Sequence, residues 1–183
     1  MGHPREIDWC TNHVVLIAVK SQQTLAALCE LAEVAPPETP IVCLQNGIAN
    51  EPTALRMFPN VQGVSVACPT SHLEPGVVQA WSTPVTGLLD IGCYPTGIDQ
   101  VSEAVAADLR AATFSSSPVK DIRRWKHRKL LTNLQGSGHG VIFPAWSGAG
   151  FVLAGPEFLS WARPSFTTLI RKPLCVPGRP PIG

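Results

Sequence analysis

The sequence predicts an α/β fold built on a parallel sheet, and three observations carry that reading. Val14-Val-Leu-Ile-Ala-Val19 is a continuous apolar run rich in β-branched residues, the pattern of a strand covered on both faces. Ile41-Val-Cys-Leu44 repeats it after an amphipathic stretch, so strand and helix signals alternate with short connections, as a parallel sheet with right-handed crossovers requires. Each run also ends in polar groups, Lys20 after the first and Gln45-Asn46-Gly47 after the second. Ligands of open parallel sheets sit at the carboxyl ends of the strands, so both junctions are candidate site positions.

The elements follow in order. After the strand at 14–19, Ser21 suits an N-cap, and Leu25, Leu28, Leu31 and Ala32 recur at helical spacing until Pro36-Pro37 ends the helix. The strand at 41–44 leads into a second amphipathic segment carrying Leu55 and Phe58, which Pro59-Asn60 breaks. From Val61 the pattern changes to short extended runs at 63–67, 76–80 and 86–91, with Pro75-Gly76 between the first two. These predict antiparallel edge strands. Residues 97–112 predict a helix with Ile98, Val101, Val105 and Leu109 on one face and Asp99, Glu103 and Asp108 off it.

Ser115-Ser-Ser-Pro118 reads as a linker to a basic stretch, 121–133. That stretch suits a helix in which Ile122, Trp125, Leu130 and Leu134 pack while the basic side chains project to solvent. Beyond Gln135 the chain is dense in Gly, Pro, Trp, Phe and Arg, with Glu157 as its only side-chain carboxylate, and supports no regular element. Gly136-Ser-Gly-His-Gly140 follows a helix rather than a strand, and Pro144 compromises the helix a phosphate loop would open; it is read as a flexible linker.

Composition narrows the function. With 183 residues and 45% hydrophobic content the chain can bury a core, as one domain with an appendage. A net charge of +1 gives no global field toward nucleic acid or an anionic membrane, and the run from Arg123 to Lys129 has no aromatic besides Trp125; neither partner is expected. The six cysteines, Cys10, Cys29, Cys43, Cys68, Cys93 and Cys175, form no Cys-x-x-Cys pair and have no histidines at zinc spacing. No metal site is expected, and the thiols read as small buried residues in a reducing cytosol. The N-terminus lacks the apolar core of a signal peptide, and no segment reaches the ~18 apolar residues of a membrane helix. A cytoplasmic protein is the expectation.

Lys20 with Gln23, Gln45-Asn46-Gly47, Thr70-Ser71-His72 followed by Pro75-Gly76, and Trp125 with Lys129 and Asn133 stand in the order and context of ketopantoate reductases. On these residues the chain resembles that family over about residues 12–134. The resemblance implies NADPH-dependent reduction of 2-dehydropantoate, a small 2-keto acid, to pantoate in pantothenate biosynthesis. It implies a partial Rossmann-like sheet lacking its first β-α-β unit, then a helix and an irregular tail. The implied division is an unmatched segment at 1–11, an NADP-binding part at 12–118, the start of a helical substrate domain at 119–135, and an unmatched tail at 136–183.

Carried over by position, the resemblance makes Lys129 the catalytic lysine. Lys20, Gln23 and Asn46 would lie against the cofactor, with Asn46 also near the substrate. Asn133 would hold the substrate, and Ser137, one turn on, stands where the family has a second asparagine. An ammonium within reach of a ketone oxygen stabilises the alkoxide left by hydride delivery and donates the proton. Taken without the resemblance, Lys20 is a solvated lysine, Asn46-Gly47 a turn dipeptide, His72 an edge-strand residue and 123–129 a solvated helix face. Lys126 competes with Lys129, lying seven residues before Asn133 and so on its face.

No Gly-x-Gly-x-x-Gly turn precedes these units, so NADPH binding is expected to be weak or absent. The abrupt changes at both edges of the resemblance lead us to expect that the ends are unrelated sequence, left by truncation or a shifted frame. An exposed sheet edge and self-association through it follow. The alternative function is a non-catalytic remnant or interaction module whose sheet edge pairs with another polypeptide.

Overall fold

A computed structural model of the chain describes residues 4–136 and 168–170. After a 3-10 turn at Pro4–Glu6 the elements are β1 (Val15–Ile17), α1 (Ser21–Ala32), β2 (Ile41–Cys43), α2 (Asn50–Ala54), β3 (Val61–Ala67), β4 (Thr70–Glu74), β5 (Val77–Ala80), β6 (Leu88–Cys93), α3 (Gln100–Ala111), α4 (Ile122–Gly136) and β7 (Thr168–Ile170). The main sheet has the order β6-β3-β2-β1-β7. β1, β2 and β3 are parallel, with Val15 opposite Ile41 and Ile41 opposite Val61; β6 and β7 run antiparallel to their neighbours.

Side chains alternate across the sheet, and the core divides accordingly. On one face Val15, Ile17, Ile41, Cys43 and Val61 pack with Leu28 and Leu31 of α1 and with Phe58. On the other, Val42, Val64, Val66, Leu89 and Ile91 pack with Val105, Ala106 and Leu109 of α3. The Rossmann-like parallel arrangement with helices on both faces is therefore present, as the continuous apolar runs require. Asp99 caps α3 through a capping box with Ser102, its Oδ1 accepting from the Ser102 backbone N–H at 2.8 Å.

Several expectations need correction. The run at 63–67, expected as an antiparallel edge, belongs to an inner strand: five of the seven residues of β3 are buried, so the backbone groups on both its edges need partners, and β2 and β6 supply them. β4 and β5 form a separate hairpin. The Ser115–Pro118 linker lies along β6 as an extended edge, with Leu89 N–H donating to Ser115 O at 2.8 Å and Val119 N–H to Ile91 O at 2.7 Å. Nor is the outer side of β1 bare, since β7 pairs with it; its backbone groups gain partners that the expected irregular tail would not have supplied. Of the cysteines only Cys43 is buried among the described residues, whereas Cys10 and Cys29 are exposed and Cys68 and Cys93 half-buried; Cys175 lies outside them.

α4 reaches the sheet through a pair of glycines that face each other across β3 and β6, Gly63 and Gly92. A Cβ on Gly63 would meet Glu51 Oε1 at 3.1 Å and Ile122 Cγ1 at 3.3 Å, and one on Gly92 would overlap Val119 O. The missing side chains let residues 119–122 lie directly on the strands. No helix among the described residues is long and apolar enough to cross a membrane.

Candidate active site

The polar groups at the ends of β1 and β2 form one connected cluster. Gly47 has φ +89°, a left-handed conformation that glycine adopts without steric cost, and it turns the chain sharply after Asn46. Gln45 is buried and its Nε2 donates to Val19 O and, at 2.8 Å, to Thr24 Oγ1, tying the end of β2 to the start of α1. Asn50, also buried, donates from Nδ2 to Asn46 O at 3.0 Å and to Ser21 Oγ at 3.2 Å and accepts from Thr24 Oγ1 at 3.3 Å. Ser21 is thus engaged with α2, and the N-cap of α1 is Lys20, which makes no side-chain cap bond.

Two lysines of α4 close the cluster. Lys129 Nζ donates to Asn46 Oδ1 at 2.9 Å. Lys126 Nζ donates to Gln45 O at 3.0 Å and forms an ion pair with Glu51 of α2. The expected outward projection of all the basic side chains therefore fails at Lys126, whose side chain is 5% exposed beside a Glu51 that is 1% exposed. The reason is the rotation of α4. Ile122 and Lys126, four residues apart and so on one face, are both buried, whereas Trp125 and Leu130, expected to pack, are exposed.

The electrostatics follow from this geometry. Burial, with the neighbouring Lys126 charge adding to it and Cys68 opposing, lowers the Lys129 ammonium to about 8. A group that titrates near neutrality can both hold and release a proton there. Burial pushes the Cys43 thiol far up, with Glu51 adding to the effect and Lys126 offsetting it; Cys43 is an inert core thiol. Cys68, likewise, is pushed up by burial and drawn back by Lys129.

Of the candidate residues, the structure brings Asn46 and Lys129 into direct contact. Lys20 and Gln23 stand exposed on the first turn of α1, where Gln23 N–H bonds Lys20 O at 2.8 Å. Asn133 continues the backbone of α4, while its side chain and the whole of Ser137 lie outside the described residues. His72 is in the β4–β5 hairpin. Sequence reasoning did not assign Gln45, Thr24, Asn50 or Glu51. No periodicity could have paired Glu51 with Lys126, 75 residues later; the one signal was a glutamate in the segment directly after a strand-end turn. No group of three or more potential metal ligands occurs among the described residues.

Residues 10–95 match the family model described as ketopantoate reductase PanE/ApbA. The 2-dehydropantoate 2-reductase of Pyrococcus horikoshii is 28% identical over 136 residues, which are 74% of this chain and 44% of that protein. The chain thus spans less than half the length of this curated relative. In fold it is similar to the crystal structure of 2-dehydropantoate 2-reductase from Methylococcus capsulatus, with TM-score 0.62 and 22% identity over 75% of this chain and 45% of that one. It is also similar to a D-mandelate dehydrogenase solved as a ternary structure with NADH and anilino(oxo)acetate, with TM-score 0.59 and 18% identity over 71% and 41% of the two chains.

Proposed function

We propose, proceeding from the ketopantoate reductase character of the central part of this chain, that it carries the proton-donating half of an NADPH-dependent 2-keto acid reductase, with 2-dehydropantoate as substrate. The observation that carries the reading is the 2.9 Å bond from Lys129 Nζ to Asn46 Oδ1, made across 83 residues of sequence. In this reading residues 12–118 are the NADP-binding part and 119–135 begin a substrate domain.

The described residues fit the nicotinamide side of such a cofactor. The first backbone N–H groups of α1 have no side-chain cap, and exposed Lys20 and Gln23 add donors beside them, a set suited to phosphate and ribose oxygens. NADPH, when bound, supplies the hydride. Lys129 then serves the substrate oxygen: its ammonium faces the developing alkoxide and gives up its proton as the C–H bond forms. Asn46 holds that ammonium at the strand end before substrate arrives, so little reorientation is left to the reaction.

The test is to incubate the full chain with 2-dehydropantoate and excess NADPH and follow cofactor oxidation by absorbance. Exchange of Lys129 for Ala should lower the rate by about 10²–10⁴-fold, the range for loss of a general acid. An equal rate in the Lys129→Ala chain would refute the assignment.

A further inference from the structure

Lys126 is a buried cation that the proposed chemistry leaves without a task. It is held on two sides, by the Glu51 carboxylate and by the carbonyl of Gln45 at 3.0 Å. That carbonyl belongs to the peptide that joins Gln45 to Asn46, so a donor fixed on it also fixes the plane from which Asn46 departs. One turn further along α4, Lys129 meets the Asn46 side chain. One helix thus grips consecutive residues of the same turn, the first by its main chain and the second by its amide.

Packing alone does not account for a charge here. A methionine would fill the space without desolvating an ion, and replacing a buried pair by apolar groups is often neutral or stabilising. We infer that Lys126, paired with Glu51, is a positioning residue: it clamps the Gln45–Asn46 turn onto α4, one helical turn from Lys129, which meets the Asn46 side chain. Its cation acts on Lys129 in the same sense as burial, with Cys68 acting oppositely. Glu51, on α2, is bonded to Lys126. The inference rests on the reading of Lys129 as proton donor, but its test needs no turnover.

Reductive methylation of the full chain with ¹³C-formaldehyde labels its lysines, and the Lys129 resonance, identified by its loss in Lys129→Arg, is titrated with pH. In Lys126→Met/Glu51→Gln, which removes both charges at once, the Lys129 midpoint should rise from its value near 8, by less than the about one pH unit of a lone like charge a few ångströms away at high effective dielectric, because the Glu51 carboxylate is lost with the ammonium. Lys126→Arg, which keeps the charge, should leave it in place. A purely structural role would alter stability without moving the midpoint, so an unchanged midpoint in the folded double variant overturns the inference. Should that variant not fold, the unaltered chain decides: Lys126 should resist methylation under native conditions while exposed Lys20 and Lys120 react, and equal reactivity overturns the inference. Absence of reductase activity would remove the proposed function and leave this titration readable.

Discussion

Replacing Lys126 by methionine tests the energetics on which the whole strand-end cluster depends. The two side chains of the pair are 5% and 1% exposed, so removal of the ammonium leaves a carboxylate with almost no water. Stripping one partner from a buried pair costs about 3–5 kcal/mol, a large share of the about 5–15 kcal/mol that holds a typical domain together. Gln45 O loses a donor as well. In urea unfolding with an m-value near 2 kcal/mol/M, a loss of about 4 kcal/mol moves the midpoint down by about 2 M. Converting Glu51 to glutamine in the same chain should restore most of that, because the uncompensated charge is then gone, giving a coupling of about 2 kcal/mol or more in a double-mutant cycle. A loss below about 1 kcal/mol for Lys126→Met, the scale of exposed pairs, would refute the argument that this pair is buried and interdependent.

Gly92→Ala should destabilise the chain by about 1–3 kcal/mol or more through overpacking, since its Cβ would overlap Val119 O and lie 3.3 Å from Ile122 Cβ; a thermal melt that matches the unaltered chain would contradict the close approach of residues 119–122. Asp99→Ala should cost about 0.5–2 kcal/mol, the value of an N-cap, and more at neutral than at acid pH. Burial raises the Asp99 carboxyl, but bonds from Ser102, Cys93 and Gln62 outweigh it and hold the group below its ordinary 3.8. A depressed folded value means that the stabilisation is present above 3.8 and lost as pH falls through the folded value. The gap between Asp99→Ala and the unaltered chain in chemical unfolding should therefore close on acidification, and a gap independent of pH would exclude the ionised cap.

What the sequence made legible was local. The β-branched runs at 14–19 and 41–44, the Pro36-Pro37 stop and the amphipathic face of 97–112 each state their structure within one window, and each element is found, with ends shifted by a few residues. What stayed hidden depended on distant partners. Residues 63–67 read as an edge strand because no window contains β2 and β6 together, and Ser115–Pro118 reads as a linker because its hydrogen bonds go to β6. Asn46 and Lys129 each stand out through resemblance rather than spacing, and their contact is visible only in the structure. By spacing Lys126 rivals Lys129, and the structure gives it a different place because burial of Ile122 fixes the rotation of α4.

The separations in the strand-end cluster also set an order of events during synthesis. β1, β2 and β3 arise from consecutive β-α units within residues 15–67, so their pairing closes short loops and can start early. Glu51 and the Gln45 carbonyl receive their ammonium from a residue 75 and 81 positions later. At about 5–20 residues per second a ribosome takes roughly 4–15 s to add that stretch. Until α4 is made and docks, Glu51 lacks the ammonium that the folded chain places beside it.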